Sequence, residues 1–127
     1  MRIVIDLQCA QSSARNRGMG RYALALSVAL ARLAKDRHEV ILVLNGAFAE
    51  TIKPLREVFA GIVGDRCIKV WNGLVPSGAS APDNRWRRLA SEEIYAHYMK
   101  SLEPDFILVL SLFEGFGDDF IVNIDSS

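Results

Sequence analysis

The chain predicts an α/β fold, with an open parallel sheet and helices on both faces. Three observations carry this. Short runs rich in Val, Ile and Leu lie at 2–7, 38–44, 67–71 and 106–112. They are almost continuously apolar, as strands buried on both faces are, and lack the alternation of a half-wet strand. Segments with helical spacing of apolar residues separate them. The order βαβαβαβ follows, and right-handed crossovers give the strand order 3-2-1-4.

Each element has its own justification. Residues 2–7 (Arg-Ile-Val-Ile-Asp-Leu) form the first strand, and a loop over 8–20 leaves it. A helix over 19–35 places Tyr22, Leu26, Ala29, Leu30 and Leu33 on one stripe, with alanines raising local propensity. Asp36-Arg37 closes it, and His38 to Leu44 is the second strand, ended by Asn45-Gly46. A helix over 49–60 aligns Ile52, Leu55, Val58 and Phe59, with Pro54 in or near its first turn, where proline is tolerated. Gly61 and Gly64 surround its exit, and Cys67 to Trp71 is the third strand. Residues 73–84, rich in Gly, Pro, Ser and Ala, read as a surface loop. Asp83 or Asn84 caps a helix running to Leu102, with Trp86, Leu89, Ala90, Ile94, Tyr98 and Leu102 on its apolar stripe. Pro104-Asp105 delivers Phe106 to Leu112, a fully buried fourth strand, followed by a loop over 113–119 and the start of another element at 120–124.

Composition narrows the function. A chain of 127 residues, half hydrophobic and about a quarter charged, supports one globular domain. Fifteen basic residues balance fifteen acidic ones, which argues against a nucleic-acid binder. Cys9 and Cys67 read as two free thiols in a reducing compartment. The N-terminus reads as a strand and not as a signal peptide, and no apolar run approaches the ~20 residues that cross a bilayer. The expected location is cytoplasmic.

The motif with the most chemistry is Arg15-Asn16-Arg17-Gly18-Met19-Gly20-Arg21-Tyr22, between the first strand and its helix. Glycines there let backbone N–H groups approach a ligand, and a helix N-terminus favours negative charge. Arginine adds forked donors suited to phosphate or carboxylate. In the order 3-2-1-4 the direction of winding reverses between the first and fourth strands, where such sheets bind ligands. The candidate site therefore combines Arg15, Arg17, Gly18, Gly20 and Arg21 with the facing loop of Ser111, Glu114, Gly115, Asp118 and Asp119. A basic glycine loop opposite an acidic one suits a ligand carrying both phosphate and hydroxyls.

Plainer readings stand beside this one. The glycines also serve turn geometry, the arginines pair with Glu114 or Asp118, and Glu114 doubles as a solvated acid. The motif lacks the third glycine of the dinucleotide fingerprint. His38 and His97 read as structural, with no metal-ligand spacing around them. Cys9 reads as a packed thiol, Trp86 and Tyr98 as core, and Arg85, Arg87 and Arg88 as a solvated face or a contact with acidic lipid.

Three blocks, Arg-Asn-Arg-Gly-Met-Gly-Arg-Tyr (15–22), Val-Leu-Asn-Gly-Ala-Phe (43–48) and Ser-Leu-Phe-Glu-Gly-Phe-Gly-Asp-Asp (111–119), together span almost the whole chain. They resemble the N-terminal domain of bacterial glycosyltransferase family four, most closely the mannosyltransferase-like enzymes of O-antigen and lipopolysaccharide assembly. The resemblance implies the GT-B architecture, two Rossmann-like domains facing across a cleft. It makes residues 1–127 the acceptor-side domain, incomplete at its later strands. The glycine loop matched by Gly18 and Gly20 would approach the donor diphosphate. A C-terminal domain would bind the nucleotide sugar through a pair of glutamates eight positions apart, a spacing that no two glutamates of this sequence have. The implied reaction moves a hexose from a nucleotide sugar to a glycan or lipid-linked acceptor with retention, without metal or other cofactor, at the inner face of the cell membrane. No catalytic residue is assigned in these 127 residues, and the chain alone is expected to be inactive.

Two alternatives have distinct signatures. A stand-alone flavodoxin-like phosphate-binding module would show no second domain; its response-regulator variant needs an acidic pair after the first strand, whereas Asp6 reads as lying inside it. An oxidoreductase needs a ribose-binding acid where the second strand instead ends in Asn45-Gly46. An uncovered edge at the fourth strand also predicts a homodimer.

Overall fold

β-Branched and leucine-rich stretches favour extended backbone, and the sheet forms from them. The computed structural model describes residues 1–11, 18–75 and 82–109. Its strands are β1 (Arg2–Asp6), β2 (Glu39–Asn45), β3 (Ile68–Trp71) and β4 (Phe106–Val109). Its helices are α1 (Gln8–Gln11), α2 (Gly18–Ala34), α3 (Ile52–Phe59) and α4 (Arg85–Ser101). The sheet is parallel throughout, in the order β3-β2-β1-β4. The predicted class and strand order are both found, in a Rossmann-like arrangement. Register sets Asp6 beside Val43 on one side and Val109 on the other, so the exits of β1 and β4 are neighbours.

Strand periodicity sends alternate residues to two cores. On one face Ile5, Leu42, Leu44 and Ile68 pack with Ala31 of α2 and with Leu55 and Phe59 of α3. On the other Val4, Ile41, Val43 and Trp71 pack with Tyr95 and Met99 of α4. Helices thus cover both faces. At the opposite end of the sheet, Arg2 ties three segments together. Its backbone N–H donates to Asp105 at 2.7 Å, its Nε to Glu39 at 2.9 Å and its guanidinium to the Leu102 carbonyl at 2.6 Å.

Several expectations need correction. The segment 8–20 is not all loop: α1 forms within it, and α2 starts at Gly18. The α2 stripe is misplaced by the sequence pattern. Gly20, Ala23, Ser27 and Ala31 are buried, whereas Tyr22 is 63% and Leu33 79% exposed. Small residues let the α2 backbone lie close to the sheet, and bulk is displaced outward. In α4 the buried side chains are Ser91, Tyr95, Ala96 and Met99. The expected row from Trp86 to Leu102 advances about 40° around the helix with each four-residue step. It therefore begins in solvent, with Trp86 61% and Leu89 54% exposed, and reaches the core only at Tyr98 and Leu102. Trp86 is not core; the Arg87 guanidinium stacks on its ring at 5.1 Å. The fourth strand is not fully buried either. Phe106 is 54% and Ile107 42% exposed, since β4 is the outermost strand among the described residues.

One turn after β3 is tightly specified. The Ser91 hydroxyl accepts from the Leu74 N–H at 2.8 Å, latching this turn to α4. A Cβ on Gly73 would lie 2.6 Å from Ser91 Oγ and 3.0 Å from Trp71 Cζ3, both on buried residues. Gly73→Ala is expected to cost about 1–3 kcal/mol as an overpacking change, read as a lowered denaturation midpoint.

Candidate functional site

The carboxyl end of the sheet is held by a buried polar chain that begins at the last residue of β1. Asp6 is 2% exposed. Its Oδ1 accepts from the Gln8 backbone N–H at 2.9 Å, and its Oδ2 accepts from Gln8 Nε2 at 3.0 Å and from the Tyr95 hydroxyl at 2.5 Å. Among the described residues no cation faces it, and three hydrogen bonds from Gln8 and Tyr95 compensate the carboxylate. Burial pushes the Asp6 carboxyl above the ordinary carboxylate range, and the hydrogen bonds from Tyr95 and Gln8 oppose that rise. Burial, reinforced by the Asp6 charge, likewise raises the Tyr95 phenol, so Tyr95 keeps its proton and donates it.

The chain continues into β2. Gln8 Oε1 accepts from Asn45 Nδ2 at 2.9 Å. Gln11 Oε1 accepts from the Asn45 N–H at 2.8 Å, while Gln11 Nε2 donates to the Asn45 carbonyl at 3.1 Å and to Thr51 Oγ1 at 3.0 Å. Asn45 Oδ1 in turn caps the following turn through the Ala47 N–H at 2.9 Å. A four-residue helix has no stability of its own. Here α1 persists because both its glutamines, each 0% exposed, serve as tethers between the exits of β1 and β2. The rim is therefore a rigid platform on which the segment leading to α2 begins.

Against that platform the predicted site residues divide. Gly18 is the first residue of α2 and is exposed, with open space where a Cβ would be; Gly20 is buried in the first turn. The α2 N-terminus carries no acidic residue, leaving its N–H dipoles uncompensated by the helix's own side chains. Arg21 is exposed and lines a shallow groove between α2 and Val58 of α3, together with Ala25, Ala29 and Arg32. Arg15, Arg17, Ser111, Glu114, Gly115, Asp118 and Asp119 lie outside the described residues. The strand exits that lead to the two loops are adjacent, Asp6 registering with Val109. His97 is exposed, Cys9 is buried and Cys67 is half-buried.

Asp6, Gln8, Gln11, Asn45, Thr51 and Tyr95 were not singled out by sequence reasoning. One signal was present: polar residues directly follow the apolar runs of both β1 and β2, where a plain loop would need no buried amides. Nothing in the spacing pointed to Tyr95.

With this geometry in view, sequence comparison shows what the chain is similar to. Over 125 residues, 98% of its length, the chain is 28% identical to the serotype-specific mannosyltransferase WbdA of Escherichia coli. The chain is similar to a bacterial mannosyltransferase. A second protein of that name from the same species is 26% identical over 88 residues, 68% of the chain. The resemblance read from the three sequence blocks is borne out by these matches. The chain spans only 15% of the length of the first relative, and the second match covers 11% of that protein. No family model matches the chain, and no solved structure does. No described helix is long and apolar enough to cross a membrane.

Proposed function

We propose that residues 1–127 form the acceptor-side domain of a retaining GT-B glycosyltransferase, one that moves mannose or a similar hexose from a nucleotide sugar. The acceptor is a growing glycan, free or lipid-linked, in cell-surface polysaccharide synthesis on the cytoplasmic face of the membrane. The observation that carries this reading is the match to WbdA over 98% of the chain. The parallel sheet with reversed winding between β1 and β4 supports it, because such sheets bind ligands at that point.

In this reading the chemistry is charge stabilisation. As the sugar–phosphate bond breaks, the leaving diphosphate gathers negative charge that fixed donors must neutralise. The N–H groups at Gly18 and Gly20, with Arg15, Arg17 and Arg21, supply donors from this domain. In the same reading Glu114 and Gly115 contribute to ligand binding, the Glu114 carboxylate being suited to accept from a sugar hydroxyl. A second domain, carrying the spaced glutamates, supplies the remaining donors and the nucleotide pocket. The reaction uses no metal.

The test compares the full reading frame with these 127 residues alone, on a panel of nucleotide hexoses with an oligosaccharide acceptor. Transfer by the full frame, with an α-product from an α-donor by NMR, is expected. The 127 residues alone are expected to transfer nothing. In the full frame Arg17→Ala is expected to lower turnover about 10²–10³-fold, the loss typical of one preorganised charge-stabilising donor. A full frame that binds phosphate but transfers no sugar would overturn the reading in favour of a flavodoxin-like binding module.

A further inference from the structure

The first turns of α4 stand beyond the carboxyl ends of the strands. Two anchors fix the course of the helix. The Leu102 carbonyl, just past its last residue, accepts from the guanidinium of Arg2, the first residue of β1. Seven residues earlier the Tyr95 hydroxyl donates to Asp6, the last residue of β1. The helix therefore runs antiparallel to β1 and is level with its end at Tyr95. Ser91 is latched to Leu74, three residues past the end of β3, accepting from its N–H at 2.8 Å and donating to its carbonyl at 3.2 Å. Trp86, nine residues before Tyr95, lies about 13 Å further along the axis. On that overhang the indole is exposed but not loose. The Arg87 guanidinium lies 5.1 Å from the ring centroid, and its Nη2 donates to the Asp83 carbonyl at 3.1 Å and to Asn84 Oδ1 at 2.7 Å. The ring is thus backed by a cation that is itself held in place, while 61% of the residue stays open to solvent. Leu89, Glu93 and His97 follow Trp86 at helical spacing on one outward stripe, all exposed. The apolar part of that stripe is confined to the end where such sheets bind their ligands.

We propose that the Trp86 ring is a stacking platform for a glycan chain, an outer subsite that holds the acceptor at a distance from its reacting end. The inference rests on the reading of this domain as the acceptor side and names a residue that grips a sugar unit. A pyranose presents a face of C–H groups and an edge of hydroxyls. The C–H groups carry slight positive charge and fit the negative face of an indole. The hydroxyls need donors and acceptors nearby, and Arg85 and Glu93 are both exposed on the same helix. Glu93 lies two turns along the stripe from Trp86, about 10 Å away, so the surface suits an oligosaccharide rather than a single sugar. Charge decides against an acidic lipid surface, the other ligand that an arginine-rich aromatic segment can meet. Within residues 82–93, Arg85, Arg87 and Arg88 are balanced by Asp83, Glu92 and Glu93, whereas anionic membranes select segments with a cluster of basic charge. The Arg87 guanidinium is already committed to the ring and to the turn before it. A fixed aromatic surface in a balanced polar setting matches an uncharged polyhydroxyl chain.

Calorimetric titration of the 127-residue chain with α-linked mannotetraose, up to millimolar sugar, provides the first test. The wild type is expected to bind. Trp86→Ala is expected to weaken binding about tenfold, the order of loss when a stacking ring is removed from a polymer site. Its circular-dichroism spectrum and thermal melt are expected to stay unchanged, because the ring is exposed. Trp86→Phe, which keeps a π face, is expected to restore most of the affinity. Sedimentation with vesicles of phosphatidylglycerol and phosphatidylcholine is expected to show no binding that depends on Trp86. A wild type that does not bind mannotetraose overturns the proposal. So does equal binding by Trp86→Ala, or Trp86-dependent binding to vesicles in place of sugar. In the full reading frame, Trp86→Ala is expected to raise KM for an oligosaccharide acceptor about tenfold with little change in kcat, since the ring grips substrate and transition state alike. Transfer with an unchanged KM overturns the platform and leaves the transferase reading standing. A frame that transfers no sugar overturns the transferase reading alone, because the calorimetric result does not depend on transfer.

Discussion

Phe59→Ala is expected to lower the unfolding free energy by about 3–5 kcal/mol, the usual cost of deleting a buried ring. Phe59 closes α3 with 0% exposure, in the cluster that holds Leu42 and Leu44 of β2, Ile68 of β3 and Leu55 of its own helix. Neighbours on regular strands cannot collapse into the space it leaves, so a cavity term adds to the lost transfer free energy. A domain of this size has only about 5–15 kcal/mol in total, so the loss removes a large share of it. The adjacent Val58→Ala provides the contrast. Val58 is 42% exposed, and its truncation is expected to stay within about 0.5 kcal/mol. Guanidinium titration of the two variants decides the matter: similar midpoints would mean that α3 presents a different face to the sheet.

The contrast between helices shows what the sequence discloses. In α3 two of the four expected residues, Leu55 and Phe59, are buried and Ile52 packs half-buried beside them, whereas Val58, at the margin of the apolar face, is 42% exposed. In α2 and α4 the same procedure selects the bulkiest apolar row, yet Ala23, Ser27 and Ala31 in one and Ser91 and Tyr95 in the other meet the sheet. Periodicity measures where apolar residues lie around an axis. It does not register that close approach of helix to sheet prefers small side chains. Strands were more legible, since Val4, Ile5 and Leu42 to Leu44 admit no polar face, and handedness then settles the order. The candidate site was legible in outline as the exits of β1 and β4. Its buried scaffold was not, because the bonds from Asp6 to Tyr95 and from Gln11 to Asn45 span 89 and 34 residues. Polar pairs at such separations leave no periodic trace.

Tyr95→Phe is expected to cost about 1.5–3 kcal/mol at neutral pH, the range for a hydrogen bond to a charged group, and less in acid. The sign follows from the Asp6 carboxyl, whose proton is held more tightly in the folded chain than in the unfolded one. Its contribution to stability is fully present below the ordinary carboxylate range and is lost as pH rises through the folded value. The Tyr95 hydroxyl opposes that loss by stabilising the ionised form. Its removal therefore raises the folded value further, and the gap between wild type and variant widens as pH rises through the wild type's folded value. Asp6→Asn behaves differently, because it has no charge to titrate. Its amide nitrogen would face Gln8 Nε2, two donors with no acceptor between them, and Gln8 cannot turn over without losing its bond to Asn45. That variant is expected to be destabilised by about 1–3 kcal/mol in acid, as an unsatisfied buried donor is, with the deficit shrinking as pH rises and the wild type loses its Asp6 contribution. Denaturant titrations of the three proteins at a series of pH values separate the cases. A Tyr95→Phe gap that stays flat or narrows as pH rises would show that Asp6 is not an ionised acceptor. The rim from which the segment toward α2 departs would then be held by neutral hydrogen bonds alone.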